Sequence, residues 1–275
     1  MLQITLTERR AAGGDRPRSV GSVKMRPRRV QLRLHAPLSS FHIAVQVLLL
    51  LALGVIPVQS ASFQTNSIEG WATLVNERLL AEDKAATERA LELLRAQLKE
   101  VVRVVPPPAV AKLREVTLWF SPEYPGVKPT AEYHPNPRWL REHGRDEAMA
   151  RGIEFTNVRT FEAESRRMPN FTLHELAHAY HHRTLPGGFD NADIKAAYDR
   201  AKASGSYDEV ERSFGDSRPN TRERAYAMTN PMEYFAESTE AFFARNDFFP
   251  FNHAELKRHD PGMEQLLAKL WGPKE

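Results

Sequence analysis

Phe171-Thr172-Leu173-His174-Glu175-Leu176-Ala177-His178-Ala179-Tyr180-His181-His182 contains the pattern H-E-x-x-H. On a helix, residues four apart share a face, so His174 and His178 can present two imidazoles to one ion, with Glu175 about 100° round the wheel. That is the arrangement of a zinc site with its base alongside. Leu173, Leu176, Ala177 and Tyr180 fall on the opposite side, so the helix is expected to bury one face in a core and turn its histidines to a cleft. Three fixed letters also coincide by chance, and histidines on helices are usually surface or satisfied core residues. The assignment therefore depends on a third ligand elsewhere in the chain.

The 275 residues, 41% of them hydrophobic, suffice for one substantial domain after a leader. Cysteine is absent, which excludes disulfides, thiolate zinc ligands and a Cys nucleophile, so any metal must be held by His and carboxylates. The net charge of +3 is unevenly spread. Residues 1–60 hold nine of the 38 Lys/Arg and two of the 35 Asp/Glu, a balance of +7, which leaves −4 for residues 61–275. The basicity belongs to the leader, and without basic runs interleaved with aromatics in the remainder no nucleic-acid partner is expected.

Residues 1–42 are Arg-rich and aperiodic and precede an apolar run over 43–56. A positive flank followed by a short apolar run reads as an export signal, with a cleavage point after Ser60; an uncleaved anchor is the rival, and the only route to a membrane. Met25 would begin a leader of more ordinary length than Met1 does. In residues 61–275 the pattern predicts a strand over 70–75, an amphipathic helix over 82–104 stopped by Pro106-Pro107-Pro108, a short helix over 109–113 and a strand over 116–120. Residues 121–137 read as a Pro-rich loop before a short helix near 139–143, with His134 and His143 as ordinary loop histidines. Residues 152–157 are expected to be the edge strand beside the cleft, where an extended peptide could pair. A helix over 194–203 closes at Gly205, and the polar segment 206–221 reads as a surface insertion that lines or covers the cleft.

Asn230-Pro231-Met232-Glu233 reads as a helix start: Asn as N-cap, Pro at the first helical position, and Glu completing a capping box. Glu233, Glu237 and Glu240 then fall at i, i+4 and i+7 on one face, with Phe235, Thr239, Phe242 and Phe243 largely opposite. An acidic stripe is ordinarily a solvated face. Here it stands against a two-histidine stripe that lacks a third ligand, and catalytic zinc commonly takes two His and one carboxylate with one position open. The longer pattern with a third histidine fails, because His181 and Thr184 occupy its Gly and His positions. Glu233 is the expected third ligand, and Glu237 is expected to accept the outer N–H of a ligand histidine. His181, one turn on from the ligands, could help shape the cleft.

The pair His174-Glu-Leu-Ala-His178 and Glu233-Tyr-Phe-Ala-Glu237, with Tyr226 seven residues before Glu233, resembles the zincin domain of anthrax lethal factor and the related Pro-Pro endopeptidases. The match covers about residues 171–243. The resemblance implies Glu233 as third zinc ligand and Tyr226 as oxyanion stabiliser; the longer interval between motifs implies an insertion within residues 190–221. Taken together, the expectation is an α+β, zincin-like single domain over residues 61–275, in which the H-E-x-x-H helix crosses a glutamate-bearing helix beside a small mixed sheet. It would be a secreted or surface-exposed Zn2+ endopeptidase acting on protein or peptide, with Glu175 as general base and Tyr226 as oxyanion donor. The alternative is a non-catalytic binding module that keeps zinc as a structural ion.

Overall fold

A computed structural model describes residues 62–273, which belong to one compact unit. The leader, its apolar run, the cleavage point and the choice between Met1 and Met25 lie outside the described residues. Strand β1 (Phe63–Ile68) turns through Glu69 and Gly70, both at positive φ, into β2 (Trp71–Asn76), and the two pair antiparallel. Two consecutive positive φ values make this a tight hairpin, the connection whose twist matches that of the strands it joins. The sequence pattern reveals β2 and hides β1, whose side chains are mostly exposed or half-buried and polar.

Helix α1 (Glu77–Glu82) precedes the long α2 (Lys84–Val104), which buries Ala90, Leu94, Leu98 and Val101 at helical spacing. Pro107 opens α3 (Pro107–Leu113), and the chain then enters β3 (Leu118–Phe120). Next come β4 (Ala131–Tyr133), α4 (Pro137–Glu142) and β5 (Ile153–Phe155). The sheet order is β1-β2-β3-β5-β4, with β2, β3 and β5 parallel and both outer strands antiparallel to their neighbours. Mixed sheet and helices together make the domain α+β.

This order corrects one expectation. The segment 152–157 is not the edge: β5 is paired on both sides, to β3 and to β4. The edge on that side of the sheet is β4, drawn from the stretch read as a loop. A strand of three residues, set between Pro129 and Pro135, is too short to show alternation, so no period-2 signal existed to find.

Beyond the sheet lie α5 (Phe161–Arg167), α6 (Phe171–Arg183) and α7 (Ala192–Ser204), then a hairpin of β6 (Val210–Arg212) and β7 (Thr221–Glu223). A 3-10 turn (Tyr226–Thr229) leads into α8 (Pro231–Phe243), followed by α9 (His253–His259) and α10 (Pro261–Trp271). Among the described residues no helix is long and apolar enough to cross a membrane. Phe155 of the sheet, Phe161 of α5 and Phe171 at the start of α6 form a continuous ring contact, at 5.7 Å and then 4.7 Å between centroids. At the far end of α6, Tyr180 stacks on Trp271 at 4.1 Å. Residues 190–221 are integrated in the fold: α7 buries Ile194, Ala197, Tyr198 and Ala201, and the Tyr198 hydroxyl donates to the Met228 carbonyl at 3.0 Å, bracing the turn that carries Tyr226. The β6–β7 hairpin is tied to the segment around Asp247, through Ser213 N–H to the Asp247 carbonyl at 2.8 Å and Phe249 N–H to the Glu211 carbonyl at 2.8 Å.

The start of α6 is held from outside. Asn170 accepts from Leu173 N–H at 3.0 Å, as an N-cap does. The buried Gln97 of α2 accepts from both Thr172 N–H (3.1 Å) and Thr172 Oγ1 (2.6 Å), and its amide donates to Ser165 Oγ at 3.0 Å. Gln97→Leu keeps roughly the same shape and strands these groups, so we expect a loss of roughly 1–3 kcal/mol in urea unfolding at unchanged m-value. A change smaller than a few tenths would mean that water replaces the glutamine at no cost.

Candidate metal centre

Two helices supply the centre. From α6, His174 and His178 turn toward α8, whose Asn230 N-cap accepts from Glu233 N–H at 2.9 Å with Pro231 at the first helical position. The capping-box expectation is half right: Asn230 caps, but the Glu233 carboxylate is engaged with the two histidines. His174 Nε2 lies 3.1 Å from His178 Nε2 and 3.1 Å from Glu233 Oε2, and His178 Nε2 lies 3.3 Å from the same oxygen. These three atoms form a nearly equilateral triangle. They are one of two groups of described residues that could hold a metal ion.

The other ring nitrogen of His174 distinguishes the two groups. Nδ1 is 2.7 Å from Glu240 Oε1 and 3.7 Å from Glu237 Oε1. A carboxylate at 2.7 Å accepts Nδ1–H and keeps a proton on that nitrogen, so Nε2, facing His178 and Glu233, is the nitrogen that could give up its proton to an ion. The set His174, Glu237 and Glu240 therefore anchors the imidazole, and His174, His178 and Glu233 are the group whose nitrogen and oxygen atoms turn to a common point where an ion could sit. Here the structure corrects the assignment of Glu237 as hydrogen-bond acceptor: Glu240, one turn further on, takes that place, with Glu237 beside it. Both positions lie on the same helix face, and only the crossing of α6 over α8 selects between them.

The acidic stripe is not a solvated face. Glu233 is 8% exposed, Glu237 2% and Glu240 0%, while Phe235 and Thr239 on the other side are also buried. Burial opposes charge on His174, but hydrogen bonds with Glu233 and Glu240 outweigh it and hold the imidazole well above its ordinary range. Burial likewise opposes charge on Glu233, but the nearby His178 charge and hydrogen bonds with both histidines hold it well below the usual carboxylate range. Glu240 is pushed up to about 7, by burial against the pull of His174. Burial, with Asp247 and Glu240 close by, raises Glu237 well above the carboxylate range.

Glu175 is near enough for its charge to act on His174 and on the Tyr226 phenol, and its Oε2 accepts from the Tyr133 backbone N–H at 2.8 Å. Tyr226 sits half-buried in the 3-10 turn that precedes α8. Burial, then the charges of Glu233, Glu237 and Glu175, drive its phenol far above the ordinary value, so the hydroxyl keeps its proton. His181 is 0% exposed with its ring against Phe189 and Phe235, and burial pushes it down to about 3; it is a neutral packing residue behind the centre. His143 stacks on Trp139 at 4.0 Å, away from the site. His134, read as an ordinary loop histidine, is instead buried and bonded to Glu154 at 2.9 Å in an ionic cluster with Arg145 and Glu132. No sequence spacing links those four residues, because the sheet brings them together.

The anchor assignment separates two variants. Glu240→Ala should weaken divalent-ion binding about 10–100-fold, as loss of an outer partner to a ligand histidine does, with a smaller loss for Glu237→Ala. Competition titration against a zinc chelator, on protein whose far-ultraviolet circular dichroism is unchanged, reads the difference. The reverse order of effects would return the anchoring role to Glu237.

No family profile, curated protein or solved structure matches the chain, so the chemistry of the site rests on these side chains alone.

Proposed function

We propose that the protein is a zinc-dependent endopeptidase built on a zincin-like plan, acting outside the cytoplasm once its leader has directed export. The observation that carries the reading is the triangle of His174 Nε2, His178 Nε2 and Glu233 Oε2, with edges of 3.1, 3.1 and 3.3 Å, and a Glu175 carboxylate near enough for its charge to act on His174. Tetrahedral zinc with ligand bonds of about 2.0–2.1 Å spans ligand pairs roughly 3.3 Å apart, so these atoms need to move only a few tenths of an ångström to hold it. Two imidazoles and one carboxylate suit zinc better than magnesium or calcium, which favour all-oxygen sets.

When bound, zinc supplies Lewis acidity and makes water nucleophilic near neutral pH. Glu175 would take the proton of the attacking water and return it to the leaving amine. Tyr226, which keeps its proton, would donate a hydrogen bond to the oxyanion of the tetrahedral carbon. Glu240 keeps His174 in the tautomer that offers Nε2. The open edge of β4 passes beside Glu175, where an extended peptide could lie.

The test is a peptide-library digest with zinc-loaded protein, with and without chelator, together with two variants. Glu175→Gln should retain zinc and substrate affinity while turnover nearly vanishes, since an amide cannot accept the water's proton. Tyr226→Phe should lose about 10²–10³ in kcat with little change in KM. Equal cleavage by Glu175→Gln would remove the general-base role. A zinc-loaded wild type that cuts nothing, yet binds a peptide as tightly as Glu175→Gln does, would make the domain a binding module.

A further inference from the structure

The ladder between β4 and β5 leaves the two edges of β4's backbone with different duties. Thr130 accepts from Thr156 N–H at 2.9 Å, and His134 N–H donates to the Gly152 carbonyl at 3.0 Å, so the even-numbered residues point their backbone groups at β5. With the register Glu132↔Glu154 and Tyr133↔Ile153, the odd-numbered residues point theirs to the free edge. Tyr133 N–H is therefore outside the sheet's own hydrogen bonding, and at 2.8 Å its acceptor is Glu175 Oε2. The same residue reaches α6 a second time: its hydroxyl is 2.8 Å from His182 Nδ1, two helical turns beyond Glu175.

A three-residue strand between prolines has little pairing of its own to fix its register, yet a one-residue slip would turn the Tyr133 N–H into the sheet. What holds β4 is on its other face. Arg145, 8% exposed, donates to Glu132 at 2.7 Å and to Glu154 at 3.0 Å, while His134 bonds Glu154 at 2.9 Å and the Tyr124 hydroxyl donates to Glu154 at 2.8 Å. The Arg145 guanidinium is sandwiched by the rings of Tyr124 and Trp139, at 4.8 and 5.1 Å. Apolar packing could stabilise the strand as well as this ionic cluster does; the advantage of directional partners on residues 132 and 134 is a single register.

From this we infer that Tyr133 is a positioning residue for Glu175: its backbone amide, held at the free edge of β4 by the Arg145 cluster, ties one carboxylate oxygen and leaves the other to handle the proton. The inference rests on the hydrolase reading for its catalytic consequence but not for the contact itself. It also means that the Tyr133 N–H is committed to Glu175 and is not a donor to substrate, so a peptide laid along β4 must find its hydrogen bonds elsewhere on that strand.

Amide hydrogen exchange by NMR on the full chain reads the contact without any activity. In Glu175→Ala, Tyr133 N–H should exchange at least about 10-fold faster than in wild type, while His134 N–H, inside the ladder, stays unchanged. Equal rates at Tyr133, or acceleration at both residues, would overturn the inference, the latter because the carboxylate would then merely brace the whole strand. The catalytic consequence is read by exchanging the Tyr133 amide for an ester through the α-hydroxy acid counterpart of tyrosine, which deletes the N–H and keeps the ring. On a peptide found by the library digest, kcat should fall about 10-fold or more with KM within about 2-fold and zinc content unchanged. A raised KM at unchanged kcat would assign the N–H to substrate and overturn the positioning role. Should zinc-loaded wild type cut nothing, the hydrolase reading fails while the exchange measurement still decides the contact.

Discussion

One imidazole ring ties the two halves of the centre together. His174 is 4% exposed, and each of its nitrogens meets a carboxylate from α8: Nε2 with Glu233 and Nδ1 with Glu240. An imidazole with one partner can still turn about its Cβ–Cγ bond, whereas one held at both nitrogens cannot. The crossing of α6 and α8 is thereby locked at the depth where His178 also reaches Glu233.

The arrangement is costly, because α8 buries Glu233, Glu237 and Glu240 in succession, and buried charge destabilises unless paired. The structure offsets it in layers. Glu233 and Glu240 share His174; burial raises the Glu237 carboxyl well above the ordinary range; Asp247, next in line, is bonded to Arg167 at 2.5 Å with Arg212 at 3.7 Å. Arg167 is the last residue of α5, immediately before the loop that starts α6, so the ionic chain returns to the element it supports.

Two further supports fix α6 along its length. Gln97 of α2 satisfies the first turn, which would otherwise leave N–H groups buried and unpaired, and Trp271 of α10 packs flat on Tyr180 near the last turn. Between them β4 touches the helix at Glu175 and His182 through a single residue, Tyr133. The helix is thus held at its start, middle and end by three elements distant in sequence. That is the rigidity expected where a carboxylate and two imidazoles must keep their relative positions within about half an ångström.

Much of this was legible along the chain. His174 and His178 four apart, Glu175 beside them, and Glu233 behind an Asn-Pro cap are local facts of helix geometry, and a 3.6-residue period places them on their faces whatever the surroundings. The α+β class followed from long amphipathic helices separated by short β-branched runs. What tertiary structure alone decided is what depends on how elements cross. Glu237 and Glu240 share one face of α8, and only the angle and depth of α6 put Glu240 against Nδ1. The edge strand is β4 rather than β5 because strand order is a matter of neighbours in space, and a three-residue strand carries no period. His134 looked like a loop residue until Arg145, Glu132 and Glu154 were folded around it, since a buried polar network is assembled from residues that no sequence spacing connects.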